Sequence, residues 1–277
     1  ATDVIPDEQG KWLVRAVPNK FPVLLPEASP LPPRVAEGWR QLPGYGHHEV
    51  IIETPEHEAS LGTMSPEQVR RIIEMYRRRY MDLAHRDGHI RQIVLFENHG
   101  IRAGTSLAHP HSQIVASPVV SPETRVQMAA EVAFFDTEGG CGRCHVLERE
   151  LKTKRRIILE SEHFITLAPY ASEAPYQFQI IPRRHCPLFT DMETEELDDL
   201  AAHLHRVMGA FFRALGDPHY NLVVHAPPLD QVHYGANHWF IDVVPRITTP
   251  AGFELGSGIT VNVKPPEEAA AHLRDFL

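Results

Sequence analysis

Glu49-Val50-Ile51-Ile52-Glu53, then His57, then Met64-Ser65-Pro66-Glu67: this order of apolar strand, histidine and helix start returns later as Gln177-Phe178-Gln179-Ile180-Ile181, His185 and Met192-Glu193-Thr194-Glu195. An internal repeat constrains the fold more than any single window does, because both copies must satisfy one structure. Ser65 and Thr194 each precede acidic, helix-favouring residues, so each is expected to cap a helix, over about 67–83 and about 195–215. A turn and a strand follow each helix, Ile90 to Glu97 and Tyr220 to His225. Each copy closes on a histidine-bearing strand, His109 to Ala116 and His238 to Val244. The intervals His57–His109 and His185–His238 differ by one position. The expected fold class is α+β, in two tandem units, 1–125 and 140–277, each an antiparallel sheet with a packed helix. The stretch 126–140 joins them, with Gly139-Gly140 as a hinge.

At 277 residues the chain could form one large domain or two smaller ones, and the repeat favours two. An apolar share of 43% and a charged share of 23% are ordinary for a globular protein, and no apolar run is long enough for a membrane span. With 27 basic against 36 acidic side chains the formal charge is -9, which argues against nucleic acid as the partner. Any phosphate site must therefore be local. Three cysteines are too few for a disulfide framework, and Cys141-Gly142-Arg143-Cys144 suits a metal or a redox pair in a reducing cytoplasm. Ala1 runs into the strand-like Trp12–Val17 without a signal-peptide pattern. The Pro-rich insertion 26–43, absent from the second copy, is expected to stiffen a surface loop or subunit arm. His203 and His205 point to different faces of a helix and are expected at the surface, and Arg77-Arg78-Arg79 on a solvated face. No Gly-Lys-Ser/Thr phosphate loop or Gly-x-Gly-x-x-Gly fingerprint occurs.

The chemistry concentrates between Phe96 and Gln113, where Asn98, Gly100, Gly104, Ser106, His109, His111 and Gln113 stand close together. Gly100 and Gly104 allow close approach of backbone to a ligand, and Asn98, Ser106 and Gln113 offer neutral donors for phosphate oxygens. On a strand, His109 and His111 would share one face. A neutral imidazole attacks phosphorus without an activating base, and catalysis then reduces to positioning and charge neutralisation. His-x-His alone is more often a metal pair or a pair of satisfied structural histidines, and the glycine, serine and asparagine context with Gln113 is what points to chemistry.

The run from Phe96 to Pro118 resembles the active-site segment of the galactose-1-phosphate uridylyltransferase family, a double-unit branch of the histidine triad superfamily, and also resembles the related ADP-glucose phosphorylases. The likeness extends to Arg15-Ala16-Val17-Pro18-Asn19-Lys20-Phe21-Pro22 and to Ala251-Gly252-Phe253-Glu254-Leu255-Gly256-Ser257-Gly258, and covers nearly the whole chain. It implies two histidine-triad-like units, with His111 the nucleophile, Gln113 and Ser106 holding the transferred phosphate, and Asn98 touching it. Asn19 and Phe21 would line the base and ribose pocket, with Phe253 and Glu254 on the sugar side. Laying His109 on His238 puts His111 on Phe240 and Gln113 on Asp242, so the second unit should lack a nucleophile.

Cys141, Cys144, His185 and His238 have the ligand chemistry of a closed structural zinc site, and the resemblance supports it, with His225 as the reserve ligand. Cys186 is expected to be a buried thiol. The repeat asks for a matching site from His57, His109 and two cysteines, which alignment of Trp12-Leu13-Val14 with His163-Phe164-Ile165 places before Ala1. Either the natural start lies upstream or that site is empty.

The leading functional expectation is double displacement: His111 takes a nucleoside monophosphate from a sugar nucleotide and passes it to a sugar 1-phosphate or to phosphate. UDP-glucose:hexose-1-phosphate uridylyltransfer in galactose metabolism comes first and an ADP-glucose phosphorylase-type adenylyltransfer second. A zinc-stabilised nucleotide binder without turnover is the reading from another class. Dinucleoside polyphosphate hydrolysis ranks last, because histidine triad hydrolases commonly carry a further histidine where Gln113 stands. The resemblance also implies a homodimer, with the partner's C-terminal unit completing the sugar site; the cytoplasmic location rests on the cysteine usage.

Overall fold

Alternation along three strands places Val14, Ala16, Ile51, Ile114 and Ala116 on one sheet face, each fully buried. That face is the one the two longest helices cover. The computed structural model describes residues 1–28, 34–36, 38–105 and 107–277. In chain order, β1 (Asp3–Pro6), β2 (Trp12–Pro18), β3 (Arg34–Ala36), β4 (Trp39–Gln41) and β5 (His47–Ile52) precede α1 (Pro66–Arg86). After it come β6 (Gln92–His99), β7 (His111–Ser117), α2 (Pro122–Glu138) and α3 (Gly142–Thr153). β8 (Ile157–Glu160), β9 (Phe164–Leu167) and β10 (Phe178–Pro182) lead to α4 (Thr194–Leu215), followed by β11 (Tyr220–His225), β12 (Phe240–Pro245), α5 (Gly252–Ser257) and α6 (Pro266–Arg274).

Ten strands form one antiparallel sheet in the order β1-β2-β5-β7-β6-β11-β12-β10-β9-β8. The protein is thus a mixed α/β fold with one large antiparallel sheet, rather than two separate sheets. β6 and β11 make the central seam, with Leu222 opposite Glu97 and Asn221 opposite Asn98. A single apolar core runs behind both halves, from Ile72 and Tyr80 of α1 to Leu200 and Phe211 of α4. A smaller cluster on the opposite face packs Leu147 of α3 against Ile165, Ile181 and Phe240. No described helix is long and apolar enough to cross a membrane.

Local chemistry explains the helix ends. Ser65 Oγ accepts the Gln68 N–H at 3.2 Å, and Pro66 needs no partner at the first helical position. The second helix differs from expectation: Glu193, not Thr194, is its cap residue, and its N–H donates to the Glu196 carboxylate at 2.8 Å. The stretch expected to be a linker is α2, capped by Ser121 and ended by Gly139 at a φ of 74°. That positive φ is a helix stop rather than a hinge. Part of the Pro-rich insertion lies outside the described residues, and β3 pairs with β4 in a small ribbon.

Two further expectations change. Arg79 is buried, and its guanidinium holds Glu49 of β5 through two bonds of 2.7 and 2.9 Å, so the arginine run is not wholly a solvated face. Truncating one partner of such a buried pair costs about 3–5 kcal/mol. His203 is also buried, bonded to Thr166 at 2.6 Å and Ser161 at 2.8 Å, and burial holds its pKa down at about 4. One face of α4 is simply deeper than its polar residues suggest.

Candidate functional site

The uncovered face of the first half carries the site. Register sets Ile52 beside both Arg15 and His111, and Val50 beside both Val17 and Gln113. These side chains floor a cavity of about 840 Å³ whose wall includes Asn19, Phe21, Gly104 and His109. His111 also borders a second cavity, of about 540 Å³, with His57, Glu97 and His99.

His111 is nearly buried, and its Nδ1 lies 2.8 Å from the His109 carbonyl oxygen. A carbonyl only accepts, so Nδ1 carries the proton and the neutral ring keeps its lone pair on Nε2. β7 begins at His111, so His109 is not a strand neighbour as expected. Pro110, which has no N–H, interrupts the ladder, and His109 sits in the preceding turn. Its Nε2–H donates to the Thr54 carbonyl at 2.7 Å, and its Nδ1 meets His57 Nδ1 at 3.1 Å.

The structure thus brings His111, Gln113, His109, Asn19, Phe21 and Gly104 together. Gly104 takes a φ of 89° at the end of a short turn, and Gly100 takes one of 81° at its start, where a Cβ would also lie 2.2 Å from the His219 ring. Asn98 does not line the cavity; its Oδ1 accepts from Asn221 Nδ2 at 2.7 Å across the seam. Phe253 and Glu254 also lie apart from it, on α5, where Glu254 accepts the Ala251 N–H of its own helix at 3.0 Å. Ser106 lies outside the described residues.

Sequence reasoning missed His48. It lies on β5 with Val50 and Ile52, and its Nε2 is 2.9 Å from Gln113 Oε1. Alternation could have put it on the site face, but its partners are remote in sequence.

Behind β7 lies a buried polar cluster. Ser112 and Tyr76 both donate to Glu53, the latter at 2.8 Å, and Tyr220 donates to Glu97 at 2.9 Å. Burial raises the pKa of both carboxyls, and Glu97 is lifted further by the charge of Glu53. A raised folded-state pKa means the native state binds more protons, so this contribution to stability is full below the ordinary carboxyl range and is lost as pH rises through the folded value. Glu97→Gln is therefore expected to gain stability over the parent at pH 8 but not at pH 4.5. Thermal melts at both pH values check this, and an equal difference at the two removes the account.

Cys141, Cys144, His185 and His238 place their ligand atoms within 4.8 Å of one another, a group that could hold a metal ion. Sulfur–nitrogen distances of 3.4, 3.5 and 3.8 Å match the edge of about 3.6 Å that tetrahedral zinc bond lengths require. His185 Nε2–H donates to the Tyr234 carbonyl at 2.7 Å, which turns its Nδ1 lone pair toward Cys144. A hydrogen bond from Cys144, and then one from His238, pulls the Cys141 thiol down, and the same Cys141–Cys144 bond pushes the Cys144 thiol up, so the pair shares a proton that a metal would have to displace. His225 is not in this group: it stacks on Phe240 with ring centres 4.5 Å apart. Cys186 is buried, as expected.

Comparison with known proteins gives the class. Residues 13–121 match the family model described as galactose-1-phosphate uridyl transferase, N-terminal domain. An ADP-glucose phosphorylase of Arabidopsis thaliana is 33% identical over 277 aligned positions, spanning 98% of this chain and 76% of that protein. A galactose-1-phosphate uridylyltransferase of Thermotoga maritima is 30% identical, spanning 93% and 82%. The crystal structure of an Arabidopsis thaliana ADP-glucose phosphorylase with bound ADP-glucose superposes with a TM-score of 0.87 at 31% identity, over 98% of this chain and 85% of that one. These relatives are nucleotidyltransferases, and so is this enzyme. The chain belongs to the galactose-1-phosphate uridylyltransferase family.

Proposed function

We propose that the enzyme moves a nucleoside monophosphate by double displacement on His111. The Nε2 lone pair attacks the α-phosphorus of a sugar nucleotide, the bond to the bridging oxygen breaks, and sugar 1-phosphate leaves. An acceptor phosphate oxygen then attacks the same phosphorus, and the phosphorus–nitrogen electron pair returns to Nε2. The observation that carries this reading is the tautomer: the His109 carbonyl accepts a hydrogen bond from Nδ1–H, which holds the proton on Nδ1 and leaves Nε2 basic at the cavity wall beside Gln113. Gln113 and Ser106 would meet the transferred phosphate, with Asn19, Phe21 and Gly104 around the nucleoside. Asn98, Phe253 and Glu254 would act only through rearrangement or a partner subunit.

UDP-glucose with a hexose 1-phosphate acceptor is the donor pair the sequence put first. ADP-glucose with phosphate is the second reading, favoured by the higher identity to the ADP-glucose phosphorylase. Incubation with α-phosphorus-labelled UDP-glucose and ADP-glucose, followed by isolation of the denatured protein, separates them. Label from one donor alone names the base, and label from neither overturns the covalent reading for these two donors.

We further place zinc on Cys141, Cys144, His185 and His238 as a structural ion. His57 and His109 form the corresponding pair, two ligands short among the described residues. Matching strand order inward from each sheet edge supports two histidine-triad-like units, 1–125 and 140–277, the second without a nucleophile because Phe240 and Asp242 stand in it. A cytoplasmic homodimer completes the proposal, with the exposed Phe253 and Leu255 available to a second copy.

A further inference from the structure

His48 stands between two groups that the chain brings together from far apart. Its Nδ1 accepts the Val23 backbone N–H at 3.2 Å, so the neutral ring carries its proton on Nε2 and donates it to Gln113 Oε1 at 2.9 Å. Burial lowers the pKa of His48 more than the bond to Gln113 raises it, which keeps the ring neutral. The turn at Val23 is tied to the same strand by Asn19, whose N–H donates to the His48 carbonyl at 2.9 Å and whose Nδ2 reaches Gln113 Oε1 at 3.4 Å. Asn19 Nδ2 also lies 3.1 Å from His48 Nε2, a contact between two donors in this tautomer. With both donors on its oxygen, the amide of Gln113 is fixed with its NH2 group left for the cavity.

We propose that His48 is a positioning residue that couples the nucleoside-side turn, Asn19 to Val23, to the orientation of the Gln113 amide. This rests on the reading of His111 as nucleophile. One ring nitrogen holds the turn that shapes the nucleoside wall, and the other aims the amide that meets the transferred phosphate. The two duties fall on different atoms, so substitution can separate them. Asparagine can place an acceptor where Nδ1 was, and glutamine a donor where Nε2 was.

The test is single-turnover formation of nucleotidyl-enzyme from the labelled sugar nucleotide that loads the parent. His48→Gln should keep the transfer rate within a few-fold while the donor KM rises about tenfold, the worth of one hydrogen bond. His48→Asn should keep KM and lose about tenfold in rate, and His48→Ala should lose both. In a Gln113→Ala background the rate cost of His48→Asn should vanish, a cycle that stands even if His48→Ala does not fold. Equal losses in both parameters for the Gln and Asn variants, or none in His48→Ala, overturn the role of His48. A parent protein that forms no adduct with any donor overturns the nucleotidyl-transfer reading instead.

Discussion

His111→Asn is expected to abolish formation of nucleotidyl-enzyme while leaving the fold and nucleotide affinity in place. Asparagine suits the position because its NH2 can donate to the His109 carbonyl, as Nδ1 does now at 2.8 Å. What it removes is the Nε2 lone pair, and neither other histidine of that wall has a ring nitrogen left unengaged. Neutral His48 has both nitrogens engaged, and His109 Nδ1 faces His57. Losing a nucleophile typically costs on the order of 10⁴-fold or more in rate. Intact-protein mass after mixing with sugar nucleotide reads the adduct, titration calorimetry reads affinity, and a melt reads the fold. Turnover within tenfold of the parent, or an adduct still present on the variant, would sink the assignment.

Much of this site was legible because its parts are close in sequence. His109, His111 and Gln113 fall within one short stretch, and the strand Glu49 to Glu53 with its repeat copy carries the alternation that buries Ile51. Legibility failed where the third dimension supplies the partner. His48 has no motif, and its meaning comes from Val23 on a turn and from Gln113 on the neighbouring strand, two positions from the residue that pairs with His48. Arg79 looked like one member of a solvated run because Glu49, which neutralises it, belongs to another element. His203 looked exposed because polar residues on α4 were assumed to face water, whereas Thr166 and Ser161 supply the polar lining that lets a histidine be buried there. The linker failed for a local reason. Ser121 followed by Pro122 and Glu123 is a helix start, and Gly139 is its stop, a pattern obscured by weighing the glycine pair as a hinge.

Cys144→Ser should produce a large loss of stability. Helix α2 has no fully buried residue and α3 buries only Leu147 and Glu150, so packing alone holds this pair of helices weakly to the sheet. The clamp is the cluster, in which Cys141 and Cys144 at the start of α3 meet His185 and His238 from the loops before α4 and β12. Structural zinc in small domains is worth about 10–16 kcal/mol, and here the Arg156–Glu150 ion pair and the Leu147 cluster share the load. A fall in Tm of roughly 10 °C or more follows if only a few kcal/mol of that is lost. Serine keeps the size of cysteine but replaces a soft thiolate with a hydroxyl that stays protonated, so coordination is what changes. The parent should hold about one zinc per chain at this site by elemental analysis, lose it to a strong chelator, and then melt where the variant melts. The variant should hold none here and ignore the chelator. Cys186→Ser serves as the internal standard, since that buried thiol is not one of the four ligands although it adjoins His185, and donates to the Leu188 carbonyl instead, so its loss should leave metal content intact. A parent without metal, or a variant with an unchanged Tm, would mean that hydrogen bonding among the four side chains suffices to hold α3 in place.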